Sequence, residues 1–330
     1  MFLVKQMSNV SIIIPSYNGV TYLEDCLKAL IKSISLCSNS KFEIILVDNG
    51  SSDNSVEVFN KVLAKQDKTV IYNKINRGFA PAVNQGIIKA KYEYVCLLNN
   101  DLTLEPDWFP KIINAIERSK NNRMVTFCGS VLNKAGTHYE STGLNFKYSG
   151  KCENIDSGKV YDKKENQRMI NSIIWGSTAA VIVYHRQTLI NIGLFDEDFF
   201  AYEEDVDVNL RLHKLGYKTL LVPSAISYHL GGGTSKKMGN FRHIHDSKNW
   251  IFIIQKLYTK KELIDNIFQI IEERLRNMSG LIKQTVKIDR FKSIITVPQA
   301  LFHAYFPVLA KHSRTMSKRR IFFDLMKNKT

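Results

Sequence analysis

The amino-acid sequence predicts an α/β chain: a mostly parallel sheet flanked by helices, followed by a C-terminal helical extension. Three observations carry this. Over the first hundred residues, short β-branched runs alternate with stretches of helical periodicity, the pattern of strand-helix-strand units with right-handed crossovers. The polar signatures fall directly after the strand-like runs, where open α/β sheets bind ligands. Beyond Phe241, apolar residues recur at helical spacing among lysines and arginines.

The elements follow in order. Val10 to Ile14 is a strand, broken by Pro15-Ser16-Tyr17-Asn18-Gly19. Thr21 and Glu24 read as a capping box for a helix carrying Leu23, Leu27, Leu30, Ile31 and Ile34. Phe42 to Val47 is a second strand, ended by Asp48-Asn49-Gly50-Ser51-Ser52-Asp53, and Val56, Phe59 and Leu63 mark the next helix. Val70 to Tyr72 is a third strand; Asn76-Arg77-Gly78-Phe79 is a loop, and Pro81 suits the first turn of a helix with Val83, Ile87 and Ile88. Tyr94 to Leu98 closes the set. Trp108, Ile112, Ile113 and Ile116 then suggest a helix, whereas residues 133 to 170 read as loops or edge strands. Ala179 to Tyr184 and Thr219 to Val222 are strands. Between them, Val206, Leu210 and Leu215 outline a helix ending near Gly216.

Length and composition allow one large domain or two smaller ones. Of 330 residues, 44% are hydrophobic and 23% charged, ordinary globular values. The five cysteines form no CxxC pair, which points to a reducing compartment without disulfides or a zinc site. No secretory signal is visible, and Pro298, Gln299, His303 and Pro307 interrupt the apolar stretch Ser293 to Ala310, against a spanning helix. The net charge is +15, of which residues 242–330 hold +11. No GxGxxG follows the first strand and no Walker motif occurs, which argues against a nicotinamide enzyme and against a P-loop ATPase.

Two acidic features carry chemistry. Seven acids crowd the twelve positions from Asp196 to Asp207, a density that costs repulsion unless a cation, a proton or a ligand offsets it. Asn99-Asn100-Asp101 follows a strand's carboxyl end, where a carboxylate beside amide oxygens suits a hard divalent cation such as Mg2+ or Mn2+. The bland alternatives are a macrodipole-favoured first helical turn for the first and an Asx turn for the second. Tyr228-His229-Leu230 precedes Gly231-Gly232-Gly233, which permits close backbone approach to a ligand or a moving flap.

Taken together, these residues resemble the family 2 glycosyltransferases of the GT-A fold. The resemblance runs in order through Ser11 to Asn18, Val47 to Asp53, Asn76 to Phe79 with Asn84 and Gly86, Leu98 to Asp101, and Tyr202 to Asp207 with Arg211. The Asn-Asn-Asp form and the Tyr-His-Gly-rich ending look most like rhamnosyltransferases of surface-polysaccharide assembly. The resemblance implies inverting transfer of a sugar from a nucleotide diphosphate donor, a dTDP- or UDP-sugar, to a hydroxyl of a glycan or lipid-linked acceptor. It implies Asp101 as metal ligand with His229 beside it, and Asn99 in the place of the family's first acid. It implies Asp205 as general base, with Glu204 its neighbour. Pro15, Ser16, Tyr17 and Asp48 would wall the nucleoside pocket, with Arg77 and Asn84 near base or ribose. Asn99 and Asn100 would lie by the donor, Trp175 and Gly176 on the acceptor side, and Arg211 against a phosphate or within the helix turn.

The expected organisation is a nucleotide-sugar half over 1–101, an acceptor-binding and catalytic half over 102–241, and a basic amphipathic tail over 242–330. Two readings of that tail stay open: it lies on an anionic membrane surface, or it caps the domain. The first gives a cytoplasmic protein peripheral to the plasma membrane; nucleic acid is not expected, since no binding module appears. The rival functions are a sugar-phosphate nucleotidyltransferase, which would normally carry a Gly-rich basic loop after the first strand, and a non-catalytic glycan-binding or membrane scaffold.

Overall fold

The computed structural model describes residues 7–119, 123–230, 240–288 and 292–328. The first hundred residues run β1 (Val10–Ser16), α1 (Val20–Ile34), β2 (Phe42–Asp48), α2 (Ser55–Val62), β3 (Lys68–Tyr72), α3 (Phe79–Lys89) and β4 (Tyr94–Leu98). Pairing is parallel throughout this half: β1 lies between β2 and β4, and β3 adds outside β2. Side chains alternate across the sheet as a period of two demands. Ile12, Ile14, Leu46 and Cys96 meet α1, α2 and the Trp108 helix on one face, while Ile13, Ile45, Val47 and Leu97 enter the core on the other. The capping box at the start of α1 is not formed. The helix starts two residues earlier, with Gly19 rather than Thr21 at its N-cap, and Glu24 pairs with Lys28 at 2.7 Å instead.

The second half reverses direction. β5 (Leu102–Leu104), α4 (Trp108–Ser119), β6 (Met124–Asn133), β7 (Tyr139–Ser141), β8 (Leu144–Lys147) and β9 (Lys151–Asn154) lead to α5 (Lys163–Arg168), β10 (Ser172–Ile174), β11 (Val181–His185) and α6 (Arg186–Asn191). Then come α7 (Glu204–Lys214) and β12 (Lys218–His229). The sheet order is β3-β2-β1-β4-β11-β6-β12-β10. β11 runs antiparallel to both β4 and β6, and β12 is again parallel to β6, so the sheet is mixed but mostly parallel. The expected strand at Thr219 extends to twelve residues, and it carries His229 at its end.

After residue 240 the chain is helical: α8 (Phe241–Leu257), α9 (Lys260–Asp265), α10 (Ile267–Ile288), α11 (Ser293–Ala310) and α12 (His312–Lys327). The apolar residues that recur at helical spacing beyond Phe241 have two different fates. Trp250, Ile254 and Leu257 are buried, and with Phe252 and Ile253 they join the same core as the sheet. Ile264, Ile267 and Ile271 remain exposed, with Phe268 and Leu275 beside them. The extension therefore caps the domain with one face and presents an apolar row with another. The helix Ser293–Ala310 forms despite its two prolines and is long and apolar enough, by length and composition, to cross a membrane.

Candidate active site

The register of the sheet assembles the first part of the site. β4 ends at Leu98, and the amide of Asn99 donates to the carbonyl of Ala180 at 2.8 Å, closing the strand end against the β11 approach. β5 pairs antiparallel with the end of β12, placing His229 opposite Leu102 and beside Asp101. The backbone repeats the link, Leu230 N–H donating to the Asp101 carbonyl at 2.8 Å. His229 Nε2 lies 3.1 Å from Asp101 Oδ2, and its Nδ1 lies 2.6 Å from Glu140 Oε2 on β7. Hydrogen bonds to Asp101 and then to Glu140 outweigh burial and raise the His229 imidazole to about 10.

Glu140 was not foreseen from the sequence. It lies 89 residues from His229 and reaches it only because β7 pairs with β6 and β6 with β12. Gly231, Gly232 and Gly233 lie outside the described residues.

The acidic cluster divides in two. Asp196 and Asp198 face cations of the C-terminal helices: Lys256 Nζ contacts Asp196 at 2.6 Å, Lys311 contacts Asp198 at 2.9 Å, and Lys318 bridges both. Burial works against ionisation of Asp196, but Lys256 and Lys318 prevail and hold its carboxyl well below the usual range. Among the described residues no such ion pair reaches Glu203, Glu204 or Asp205, and these acids are pushed the other way. Burial, then the neighbouring Asp205 charge, lifts Glu204 to about 8. Burial raises Asp205 despite hydrogen bonds it accepts from Val206 N–H at 2.8 Å and Ala179 N–H at 3.3 Å. Burial and nearby Asp246 and Asp205 raise Glu203 far above its ordinary value. Glu204 Oε2 is buried without a hydrogen-bond partner among the described residues. Tyr202 and Glu203 both adopt left-handed backbone (φ 67° and 64°), a costly geometry for two consecutive residues with side chains and one that concentrates at functional sites.

Asp101 and Asp205 are moored to adjacent residues. The turn carrying Asp101 is fixed to the Ala180 carbonyl, and Asp205 accepts from the Ala179 amide. Both acids thus stand at one edge of the sheet, the arrangement on which a shared cleft depends.

Around that edge, Ser16 Oγ accepts from Asn100 Nδ2 at 3.1 Å, joining the ends of β1 and β4. Pro15 is half-buried at the end of β1, Tyr17 is exposed beyond it, and Asp48 is buried at the end of β2. Asn49 ties this side together: it donates to Asn76 and the Gly78 carbonyl and accepts from the Arg77 amide, leaving the Arg77 side chain exposed. Gly78 has φ 91°, and a Cβ there would sit 2.4 Å from the Phe200 carbonyl, so the Arg77 loop abuts the acidic segment. On the far side Trp175 stacks on Phe146 with ring centroids 4.7 Å apart. Gly176 accepts from Leu144 N–H at 2.9 Å, and Asn209 donates to both the Ser177 carbonyl and the Asp205 carbonyl. Trp175 and Gly176 therefore belong to the wall beside Asp205.

Two expected contacts are corrected. Asn84 is buried, and its amide is consumed by Phe195 N–H and C=O and by Glu197, so it braces α3 against the acidic segment rather than facing a ribose. Arg211 is likewise buried and follows the helix-turn reading rather than the phosphate one, donating to Asp207 one turn back and to the Ile192 and Leu194 carbonyls.

No three His, Cys, Asp or Glu side chains converge as a complete metal cage among the described residues. Once a cation displaces the proton from Nε2, Asp101 Oδ2 and His229 Nε2, 3.1 Å apart, can share one ion at about 2.2 Å from each, with Glu140 orienting the ring from its other nitrogen. Such a two-ligand site suits a cation completed by substrate phosphates and water.

Comparison with known proteins agrees with this geometry. The model of Glycosyl transferase family 2 matches residues 11–190, which include the Asp101 turn and stop short of Asp205. The poly-beta-1,6-N-acetyl-D-glucosamine synthase of Staphylococcus aureus (strain COL) is 24% identical over 227 residues, 69% of this chain and 51% of that protein. Its Staphylococcus epidermidis counterpart is 25% identical over 226 residues, 68% of this chain and 51% of that protein. The chain thus spans about half the length of the curated relatives it matches. Among solved structures, GalNAc-T7 with UDP, GalNAc and Mn2+ superposes with TM-score 0.58 and 17% identity, over 78% of this chain and 49% of that one. The mannosyltransferase PcManGT from Pyrobaculum calidifontis, with GDP-Man and Mn2+, gives 0.56 and 14% over 98% and 87%. S. aureus TarS 1-349 gives 0.52 and 13% over 97% and 87%. These likenesses establish a GT-A-like fold. A mostly parallel sheet, acids gathered at one of its edges and a family match over more than half of its residues lead to one conclusion: the chain is a glycosyltransferase of Glycosyl transferase family 2.

Proposed function

We propose that the chain transfers a sugar, with inversion, from a nucleoside diphosphate donor to a hydroxyl of a glycan or lipid-linked acceptor in cell-surface polysaccharide synthesis. The observation that carries this reading is that adjacent residues hold both acidic segments: the Ala180 carbonyl accepts from Asn99 N–H in the turn leading to Asp101, and the Ala179 amide donates to Asp205. Residues 1–101 supply the nucleotide half: the Pro15-Ser16-Tyr17 end of β1, Asp48, Asn99, Asn100 and the exposed Arg77. Residues 102–241 supply the acceptor half, with Trp175 and Gly176 beside the acids, and residues 242–330 the helical extension.

In the transfer, the acceptor hydroxyl attacks the anomeric carbon while the bond to the diphosphate breaks, and the hydroxyl proton passes to a base opposite the leaving group. Asp205 takes that role. Burial raises its carboxyl, which strengthens it as a proton acceptor, and the Val206 and Ala179 amides orient it. Glu204 sits beside it in protonated form near neutral pH and spares it a second charge. Asp101 and His229 would hold Mg2+ or Mn2+, which when bound offsets the charge developing on the diphosphate.

The resemblance favours a rhamnosyl donor; the curated relatives' names favour N-acetylglucosamine. A panel of dTDP-rhamnose, UDP-N-acetylglucosamine and GDP-mannose with Mn2+, read by nucleoside diphosphate release, tests both the class and the donor. No release from any donor, together with no thermal protection by UDP, dTDP or GDP, would refute the reading.

The exposed row Ile264, Phe268, Ile271 and Leu275, in an extension holding +11 of the net charge, supports docking on an anionic bilayer from the cytoplasmic face. Truncating the extension would open the core at Trp250, so point changes are the clean test. Phe268→Glu with Ile271→Glu should abolish co-sedimentation with phosphatidylglycerol vesicles; undiminished binding would remove this surface.

A further inference from the structure

The helices after residue 240 grip the acidic segment at defined points. α8 presents Asn249 and Lys256 on one face, seven residues and about two turns apart. Asn249 Nδ2 donates to the Ala201 carbonyl at 2.9 Å and to the Tyr202 carbonyl at 2.7 Å, beside the two left-handed residues. Lys256 Nζ lies 2.6 Å from Asp196 Oδ2 and 2.5 Å from Asp207 Oδ1, in a site where all three side chains are at least nine-tenths buried. Arg211 occupies the other oxygen of Asp207, and Lys318 from α12 the other oxygen of Asp196. Asp207 follows Asp205 by two residues, about 200° around α7, so the two side chains leave different sides of the helix, Asp207 toward Lys256 and Asp205 toward the Ala179 amide.

We propose that Lys256 is a positioning residue for the transfer reaction. By clamping Asp196 to Asp207 it closes the loop that bears Glu203, Glu204 and Asp205 and sets the angle at which Asp205 meets the acceptor. The C-terminal helices are then part of the catalytic apparatus. Buried cation contacts are the means because a buried carboxylate left alone is strongly unfavourable, which confines the loop to the one geometry that satisfies both acids. The inference rests on the reading of Asp205 as base.

The test uses the full chain and the donor that turns over in the panel above, with Mn2+. Lys256→Met should lower kcat at least tenfold while KM for the donor stays within about twofold, since the nucleotide half is untouched. Lys256→Arg, which keeps the cation, should recover a large part of that loss. A merely structural lysine would lower thermal stability and leave kcat per folded molecule unchanged, and that result overturns the proposal. Should Lys256→Met fail to fold, Lys256→Gln decides the question, because it keeps a polar group of similar length and removes the cation that joins Asp196 to Asp207. Reduced kcat with retained KM supports the clamp; unchanged kcat overturns it. Asp205→Asn is run alongside: full activity there defeats the base assignment, whereas an inactive Asp205→Asn with a fully active Lys256→Met defeats only the clamp.

Discussion

Replacing Glu204 with glutamine should make the protein more stable at alkaline pH and hardly alter it under mild acid. Glu204 is 8% exposed, one of its oxygens lacks a hydrogen-bond partner among the described residues, and its carboxyl is lifted from 4.5 to about 8 by burial and then by Asp205. Below the ordinary value, folded and unfolded chains both hold the proton and the group contributes no pH dependence. Between 4.5 and about 8 the folded chain keeps a proton that the unfolded chain has lost, so stability falls as pH rises. Above that window the full cost is in place, up to about 5 kcal/mol at about 1.4 kcal/mol per pH unit. Asp205 responds to the same proton, so the expected gain from Glu204→Gln at pH 8.5 is smaller than this, on the order of a few kcal/mol. At roughly 2 °C per kcal/mol for a chain of this size, Tm should rise by about 5 °C at pH 8.5 and by less than about 1 °C at pH 5. Thermal unfolding of both proteins, without nucleotide or divalent cation, measures the difference. An equal Tm gap at the two pH values would refute the reasoning.

Other outcomes follow from the same geometry. Asp205→Asn should retain nucleotide-dependent thermal protection and lose at least a hundredfold in kcat, measured by nucleoside diphosphate release. Glu140→Gln should weaken Mn2+ affinity by about tenfold or more, through loss of ring orientation at His229, as read by titration calorimetry with UDP present. Chelation of divalent cations should suppress turnover, and Mn2+ should restore it. Gly78→Ala should destabilise the fold by at least ~2 kcal/mol, because its Cβ would meet the Phe200 carbonyl and the backbone there is left-handed; denaturant unfolding would show it.

The nucleotide half was legible because its signals are local. Ile12 to Ile14 and Ile44 to Val47 are β-branched or leucine runs that end at polar turns, and both form the strands that those patterns imply. Much of the second half depends on distant pairing. β6 contains Gly129 and Ser130 and has no alternation that marks it, yet it stands between β11 and β12 because both supply partners. Glu140 is an ordinary exposed-looking acid until three strands bring it to His229. Lys256 sits among apolar residues in a basic helix, where periodicity alone assigns it to solvent; its carboxylate partners lie 49 and 60 residues away. Asn84 and Arg211 were placed by resemblance, and the structure shows why residue type was insufficient. A buried amide or guanidinium is defined by the carbonyls around it, which no linear pattern displays.

The paired left-handed residues Tyr202 and Glu203 have a consequence for anyone seeking a hardier form of this enzyme. Each stores on the order of 1–2 kcal/mol that glycine would release, so a screen for heat resistance alone would be drawn to that spot. The same exchange would slacken the peptide just before Glu204 and Asp205, and the survivors would be robust but sluggish catalysts. Durability and turnover compete within two adjacent peptide units.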